Sequence, residues 1–328
     1  MAVRDKVAQE LCAKPGIWIS GSEMAQKFSV SRNAVWKAVD QLREEGYPIE
    51  SVRAQGYRLT DPDFLSVETI TPYLRTDILG RTMEVYQSID STNTRARAWM
   101  HAGAPHGAMV VANGQTGGQG RHGKSFQSPA GTGLYFTLIL RQSFPLDLAM
   151  GLTGVVAVGI CRAIDNICGC CTDIKWVNDL YLHDKKICGI LTESDIGLES
   201  GEVENILVGI GLNIRDTKQT MPADLQDKVT SLEEELPQCK VQRGALLAAC
   251  LRELEYVLRH PDSDAIWEEY RNRSMLIGRT VLLQRDNGEK KRVAVIDVDR
   301  SYGLLVRDRY GDTEVIRTGS IELIPQKI

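Results

Sequence analysis

Apolar positions recur at two different periods along the chain, and the change of period divides it. Val3, Val7 and Leu11 fall at i, i+4 and i+8 and predict a helix with one buried face, ended by Pro15-Gly16. Ser22 opens a short second helix over 23–28, with Met24, Ala25 and Phe28 inward. Ser31 is placed to cap a third helix over 32–45, whose stripe is Ala34, Val35, Ala38, Val39 and Leu42. The period then becomes two: residues 47–59 alternate around Ala54-Gln-Gly56, a β-hairpin pattern. After the linker-like Asp61-Pro-Asp63, strand and helix patterns alternate. Strands are predicted at 85–89, 107–112, 134–140, 174–182 and 206–213, and helices at 94–100, 148–167, 241–259 and 265–271. The 148–167 helix is apolar on every side and is expected at the centre of the fold. Beyond Gly278 come short strands at 280–284, 292–298, 304–306 and 314–317, with turns at Asp286-Asn-Gly288 and Tyr310-Gly-Asp312.

Two helices joined by a tight turn, the second opening on basic and amide side chains, make a helix-turn-helix pattern, and the hairpin behind it reads as a wing. Ser31, Arg32, Asn33, Trp36 and Lys37 are the candidate DNA contacts, with Arg43 on the same face and Arg53 and Arg58 of the wing near phosphates. The bland alternative is a three-helix packing module with a solvated basic face. Residues 1–60 carry nine Lys/Arg against seven Asp/Glu in a chain of net charge −4, so any DNA contact comes from a local face and not from bulk charge. At 328 residues, with 43% apolar and 25% charged positions, the chain suits a globular protein of two or three domains. No run is read as long enough to span a bilayer and no signal peptide opens the chain, so the cytoplasm is expected and no membrane partner. Cys168, Cys170 and Cys171 cluster without zinc-ribbon spacing or a neighbouring histidine, which favours reduced thiols over a metal site.

Residues 115–125 concentrate four glycines, Arg121 and Lys124 between two apolar runs. Glycine lets main chain approach an anion closely, and the cations offset its charge. The letters match both the dinucleotide fingerprint, at Gly118 to Gly123, and the phosphate-binding loop, at Gly118 to Ser125. Each of those needs a helix directly after the glycines. Pro129, Gly131 and Gly133 forbid one, so both motifs are false and an anion-binding loop between two strands is left. A glycine-rich hairpin with incidental charges is the simpler alternative. Ser91-Thr-Asn93 suits the head of a polar neutral ligand, or is only a helix cap with its neighbours. Asn178-Asp179, between apolar segments, is a candidate magnesium ligand pair or a hairpin turn. Lys186 at the mouth of an apolar strand either snorkels or meets an anion, and 206–213 has small residues where a ligand or backbone comes close.

Ser-Thr-Asn at 91–93, Gln115 with Gly118-Gln-Gly-Arg-His-Gly123, Lys175-Trp-Val-Asn-Asp179, Lys186-Ile-Cys-Gly-Ile-Leu191 and Gly209-Ile-Gly-Leu-Asn213 occur in one order that resembles the biotin protein ligases. With the winged helix in front, the whole chain resembles the bifunctional bacterial form, ligase and biotin operon repressor together. The resemblance implies an α+β protein: a winged helix-turn-helix over 1–62, a mixed α/β catalytic domain of class II synthetase type over 63–275, and an SH3-like β-barrel over 276–328. It implies that Ser91, Thr92 and Asn93 bond the biotin ureido ring. Gln115, Gln119, Gly120, Arg121 and Lys186 then hold the carboxylate end and the activated phosphate, with Arg121 and Lys186 catalytic. Asn178 and Asp179 face Mg2+ and the ATP phosphates, Phe126 takes the place of an adenine-stacking tryptophan, and Asn213 lies near the nucleotide. Gln119 stands where the family commonly has an arginine, which removes one fixed cation beside the phosphates. The implied partners are ATP, biotin, the acceptor lysine of a biotin carboxyl carrier protein, operator DNA, and a second copy of the chain in an adenylate-bound homodimer. Two rival readings are a lipoate-type ligase and a ligand-sensing transcription regulator without ligase activity.

Overall fold

The computed structural model of the chain describes residues 1–142, 144–196, 203–215 and 221–324. The N-terminal unit comprises α1 (Val3–Ala13), α2 (Gly21–Phe28), α3 (Arg32–Glu44) and the hairpin of β1 (Ile49–Val52) and β2 (Gly56–Leu59). Val7, Leu11, Met24, Val35, Val39 and Leu42 share one core, so the three helical stripes read from the sequence face one another. Ser31 caps α3 by accepting the Ala34 N–H at 3.1 Å. The second helix begins earlier than the sequence suggested, because its cap is Ser20, whose hydroxyl accepts the Ser22 N–H at 3.2 Å. Ile19 exchanges two backbone hydrogen bonds of 2.9 Å with Tyr57 and bridges the edge of the wing. That contact requires Gly56, at φ +108°, since a Cβ there would lie 2.1 Å from the Ile19 carbonyl oxygen.

Phe64 packs on Tyr47 with ring centroids 4.8 Å apart and completes the N-terminal core, whereas its neighbour Leu65 belongs to the core of the main body. That body runs through α4 (Val67–Ile70), β3 (Met83–Tyr86), α5 (Thr92–His101), β4 (Met109–Ala112), β5 (Gly133–Leu140), α6 (Leu146–Cys168), β6 (Asp173–Lys175), β7 (Asp179–Leu182), β8 (Lys185–Ile196), β9 (Val203–Asn213), α7 (Leu232–Glu235), α8 (Arg243–Arg259) and α9 (Asp264–Arg273). Its seven-stranded sheet has the order β3-β4-β5-β9-β8-β7-β6, with β3 and β4 parallel and the other neighbours antiparallel. Strand alternation sends Val208, Ile210 and Leu212 of β9 into the core shared with α6, and Leu207 to the opposite face with Ala96 and Met100 of α5.

One expectation is corrected here. The 21 residues Leu148–Cys168 of α6 are apolar and long enough to cross a bilayer by length and composition. The helix is instead packed on the sheet and α8, and its all-round hydrophobicity is that of a core helix.

The last strands are β10 (Thr280–Gln284), β11 (Lys290–Val298), β12 (Leu304–Arg307), β13 (Thr313–Ile316) and β14 (Ser320–Leu323). They form an antiparallel sheet of order β13-β12-β11-β10-β14, and among the described residues β13 and β14 do not pair, so the sheet is open. Val281, Val293, Leu304 and Val306 join the main core. Indole N–H groups tie the connection before β12 to the body: Trp267 donates to the Asp299 carbonyl at 2.7 Å and Trp176 to that of Tyr302 at 2.8 Å.

Candidate active site

Three glycines make a floor on the α5 side of the sheet. Gly189 of β8 and Gly211 of β9 are cross-strand partners, and Gly209 lies two residues away on the same face. A Cβ on Gly209 would sit 2.2 Å from Asn93 Oδ1, and one on Gly211 would sit 2.4 Å from the Phe126 ring. The small residues expected to admit a ligand or backbone therefore admit the start of α5 and an aromatic ring. A cavity of about 60 Å³ is left between them. Ser91, Thr92 and Asn93 form one wall, and Gln115, Gln119, Gly120, Arg121 and Phe126 form another. Asn178 and Lys186 close the remaining side.

The α5 wall is a satisfied network. The Ser91 hydroxyl caps the helix, accepting the Thr94 N–H at 3.4 Å. The Thr92 N–H and hydroxyl reach Gln115 Oε1 at 2.8 and 3.1 Å, and Gln115 Nε2 donates to Ser128 Oγ at 2.8 Å. Buried Thr137 donates to Asn93 Oδ1 at 2.6 Å, and Asn93 Nδ2 donates to Glu193 Oε2 at 2.7 Å. Arg97 holds Glu193 in turn at 2.9 Å. The helix-cap reading of Ser91-Thr-Asn93 is observed, and the same segment lines the cavity.

The glycine loop between β4 and β5 folds as a hairpin. Gln115 bridges Ser128, Gln119 bridges Ser125, and the Gly120 N–H donates to the Lys124 carbonyl at 2.7 Å. Ser125 is followed by extended chain and then β5, so the helix required by the dinucleotide and phosphate-loop motifs is absent among these residues. The hairpin's charge is not incidental, because Arg121 turns inward and donates from Nη1 to Asn178 Oδ1 at 3.2 Å. Burial pushes the Arg121 guanidinium below its ordinary pKa, against the attraction of Asp179.

Asn178 lies in the turn joining β6 to β7, and Asp179 is the first residue of β7. Lys186 Nζ stands 2.7 Å from Asp179 Oδ1 but off a hydrogen-bonding direction, which leaves a buried carboxylate oxygen with a charge partner and no aligned donor. Lys175 sits close by. Burial pushes its ammonium below the ordinary value, opposed by Asp179 and reinforced by Lys186 and Lys124. Phe126 lies edge-on to Tyr135 with centroids 6.4 Å apart, and Lys186 Nζ is 5.9 Å from the Phe126 centroid. Asp179 and Asn213 are outside the cavity lining. Asn213 is buried one strand repeat beyond Gly211, where Nδ2 donates to the Thr230 carbonyl at 3.1 Å and Oδ1 is unpartnered.

On the N-terminal unit, Ser31, Arg32, Asn33, Trp36, Lys37 and Arg53 are exposed, Trp36 to 50%. Two of the basic side chains already have partners within the unit. Arg43 is turned to the hairpin, donating to the Ile49 carbonyl at 3.0 Å and Ser51 Oγ at 2.9 Å. Arg58 is paired with Glu50 and lies over the Trp18 ring at 4.6 Å, so it is already engaged.

Thr137 and Glu193 take part in the network around the cavity without having been singled out in the sequence, and Lys175 was quoted only as the first letter of a motif. Thr137 left a signal, the one non-aromatic polar side chain inside the apolar run 134–140. Glu193 left none, since its surroundings come from other elements.

Fold and cavity together define the class of the biotin and lipoate ligases. The family described as Biotin/lipoate A/B protein ligase matches residues 85–213, and the HTH domain family matches residues 4–58. The bifunctional ligase/repressor BirA of Bacillus subtilis is 36% identical over 259 residues, which cover 77% of this chain and 79% of that protein. The protein of the same name from Escherichia coli is 28% identical over 264 residues, covering 78% and 79%. The solved biotin protein ligase from Aquifex aeolicus, in complex with biotin and ATP, superposes with a TM-score of 0.61 at 25% identity, covering 74% of this chain and 98% of its own. The chain belongs to the bifunctional biotin ligase/repressor family.

Proposed function

We propose that this protein is an ATP-dependent biotin protein ligase that joins biotin to a lysine of a biotin carboxyl carrier protein and represses biotin genes with its own intermediate as corepressor. The observation that carries the reading is convergence. The hydrogen-bonding start of α5, the inward Arg121 and Lys186 meet over one glycine floor. Ser91, Thr92, Asn93 and Gln115 offer donors and acceptors to the ureido ring, and Gly120 and Gln119 flank the acid end. A biotin carboxylate oxygen attacks the α-phosphorus of ATP, the bond to pyrophosphate breaks, and biotinyl-5′-adenylate forms. The lysine amine of the carrier then attacks the acyl carbon, and AMP leaves. No covalent nucleophile is needed from the protein. Its work is to hold two mutually repelling anions in line and to neutralise the charge that builds up. Arg121 and Lys186, both on the cavity wall, are the cations proposed for that, and Phe126 and the unpartnered Asn213 Oδ1 are proposed for the adenine ring and its amino group.

Mg2+ takes few protein ligands when substrate phosphates supply the rest. The buried Asp179 oxygen without an aligned donor fits such a place, with Asn178 beside it. Bound there, the ion would neutralise phosphate charge. Residues 1–62 act as the DNA reader, 63–275 as the catalytic domain of class II synthetase type, and 276–328 as an SH3-like module. Adenylate-bound chains pair as homodimers on a two-fold operator, in the cytoplasm.

The test is incubation of the purified protein with ATP, magnesium, biotin and a biotinyl acceptor domain, followed by acceptor mass and pyrophosphate. Biotin addition and pyrophosphate release are expected. Transfer of lipoate in a parallel tube and not of biotin would install the lipoate reading, and silence with both substrates would leave a regulator. Operator affinity that is unchanged by biotin plus ATP would remove the repressor half alone.

A further inference from the structure

The chain enters the catalytic body at Asp63, between the two cores. Asp63 is only 9% exposed. Its Oδ1 accepts the backbone N–H of Arg243 at 2.8 Å and so caps α8, whose own N-cap residue Gln242 provides no side-chain bond. Its Oδ2 accepts Arg243 Nε at 2.7 Å and is shared with Arg215. Its carbonyl accepts Arg243 Nη2 at 2.8 Å. A buried guanidinium holding this many partners is unusual, and its remaining nitrogen shows what it serves. Nη1 of Arg243, a residue 1% exposed, donates to Asn113 Oδ1 at 2.6 Å and to the Gly133 carbonyl at 3.3 Å. Asn113 directly follows β4 and Gly133 opens β5, so these are the two feet of the loop that carries Gln115, Gln119, Arg121 and Phe126. Arg215 works on the same place, donating from Nη1 to the Gly131 carbonyl at 3.1 Å. Asn113 Oδ1 also accepts the Gly131 N–H at 3.2 Å.

We infer that Asp63 and Arg243 are positioning residues for the ligase reaction: a carboxylate from the connection to the DNA-reading unit holds two arginines that clamp the feet of the ligand loop, and this clamp keeps the adenylate in place. The inference rests on the ligase reading for what the loop holds. Neither residue lines the cavity, so each acts through the loop. Without the carboxylate, the buried Arg243 guanidinium would lose its charge partner and the half-exposed Arg215 its anchor, and the loop feet would part. Displacements of about an ångström are enough to upset an aligned reaction.

The experiment compares full-length Asp63→Asn and Arg243→Lys with wild type and with Glu68→Gln. Glu68 bonds Arg4 and Tyr47 on the same seam but does not touch the loop. The first measurement is hydrogen exchange of the ligand-free proteins. Amides over 113–133 should exchange about tenfold faster in Asp63→Asn, while those of β9 and α6 keep their protection. The second is the lifetime of adenylate made without acceptor, expected to fall by about tenfold, with a higher KM for biotin and a lowered kcat. Glu68→Gln should lower the melting midpoint and leave both readings alone. Loop exchange equal to wild type in Asp63→Asn overturns the clamp, and so does an equal loss of adenylate lifetime in Glu68→Gln. Should Asp63→Asn fail to fold, Arg243→Lys carries the same two readings with the charge kept. A wild type that makes no adenylate defeats the ligase reading, while loop exchange still decides the clamp.

Discussion

Replacing Gly209 by alanine tests whether the glycine floor is a fitted surface or an accident of composition. The added methyl would stand 2.2 Å from Asn93 Oδ1 and 3.0 Å from Cγ, so the Asn93 side chain must leave. It is held by Thr137 at 2.6 Å and by the charged Glu193 at 2.7 Å. Losing a buried hydrogen bond, with a partner stranded, costs about 1–3 kcal/mol, so displacement of Asn93 should cost about 2–5 kcal/mol. That is a large fraction of the stability of an ordinary domain. Biotin affinity should fall with it, since Asn93 and Thr92 share the cavity wall. The assay is a double-mutant cycle by urea denaturation, with biotin titration calorimetry on each protein. In an Asn93→Ala background the methyl has nothing to strike, and Gly209→Ala should then be close to neutral. The coupling energy should approach the whole Gly209→Ala penalty. If the two substitutions add within about 0.5 kcal/mol, the steric argument is refuted.

Lys186→Ala should leave the fold intact and slow adenylate formation by about 10²–10³-fold in a single-turnover pyrophosphate assay, and near-normal adenylation would remove Lys186 from the site. Phe126→Ala should raise the KM for ATP by about tenfold, seen by steady-state kinetics, from loss of an aromatic contact of about 1 kcal/mol or more, with a smaller effect on biotin. Gln119→Arg restores a cation at the loop and should lengthen the lifetime of bound adenylate several-fold, measured by filtration after a chase of unlabelled ligand. Burial opposes the charge on Glu68, but the Tyr47 hydroxyl and Arg4 outweigh it and hold the carboxyl below its ordinary 4.5. A lowered folded-state pKa means that the unfolded chain binds the proton first as pH falls. The stabilisation is therefore complete above the ordinary carboxylate range and is lost on acidification through the lowered pKa. Glu68→Gln should flatten that acid limb in melting curves taken from neutral pH downward, and an unaltered limb would show that Glu68 contributes nothing there.

The local parts of this architecture were legible because they rest on short-range chemistry. The stripes of α1 and α3, the Ser31 cap and the Gly56 hairpin each follow from residues a few positions apart. The loop at 115–125 could be separated from its two familiar look-alikes because Pro129 and Gly131 forbid a helix there. The network behind the cavity was not legible. Asn93 depends on Thr137 and Glu193, and the Lys175 ammonium is held below its ordinary value by burial and by the charges of Lys186 and Lys124, surroundings that exist only once the sheet is assembled. Asp63 misled in an instructive way. In sequence, Asp-Pro-Asp is linker chemistry, yet its partners Arg215 and Arg243 lie far along the chain and turn a hinge-like stretch into a fixed point. Strand β14 was missed because four residues carry too little pattern.

Phe64 and Leu65 are neighbours in the chain but sit in two separate hydrophobic interiors. There is consequently no slack at this point: the reading head cannot tumble on a tether, and its bearing is inherited from the catalytic body. In the proposed two-fold dimer, the span from one recognition helix to the other would then work as a ruler. An operator whose half-sites are moved apart by a few base pairs should then be rejected outright, where a flexibly strung pair of heads would stretch to meet it.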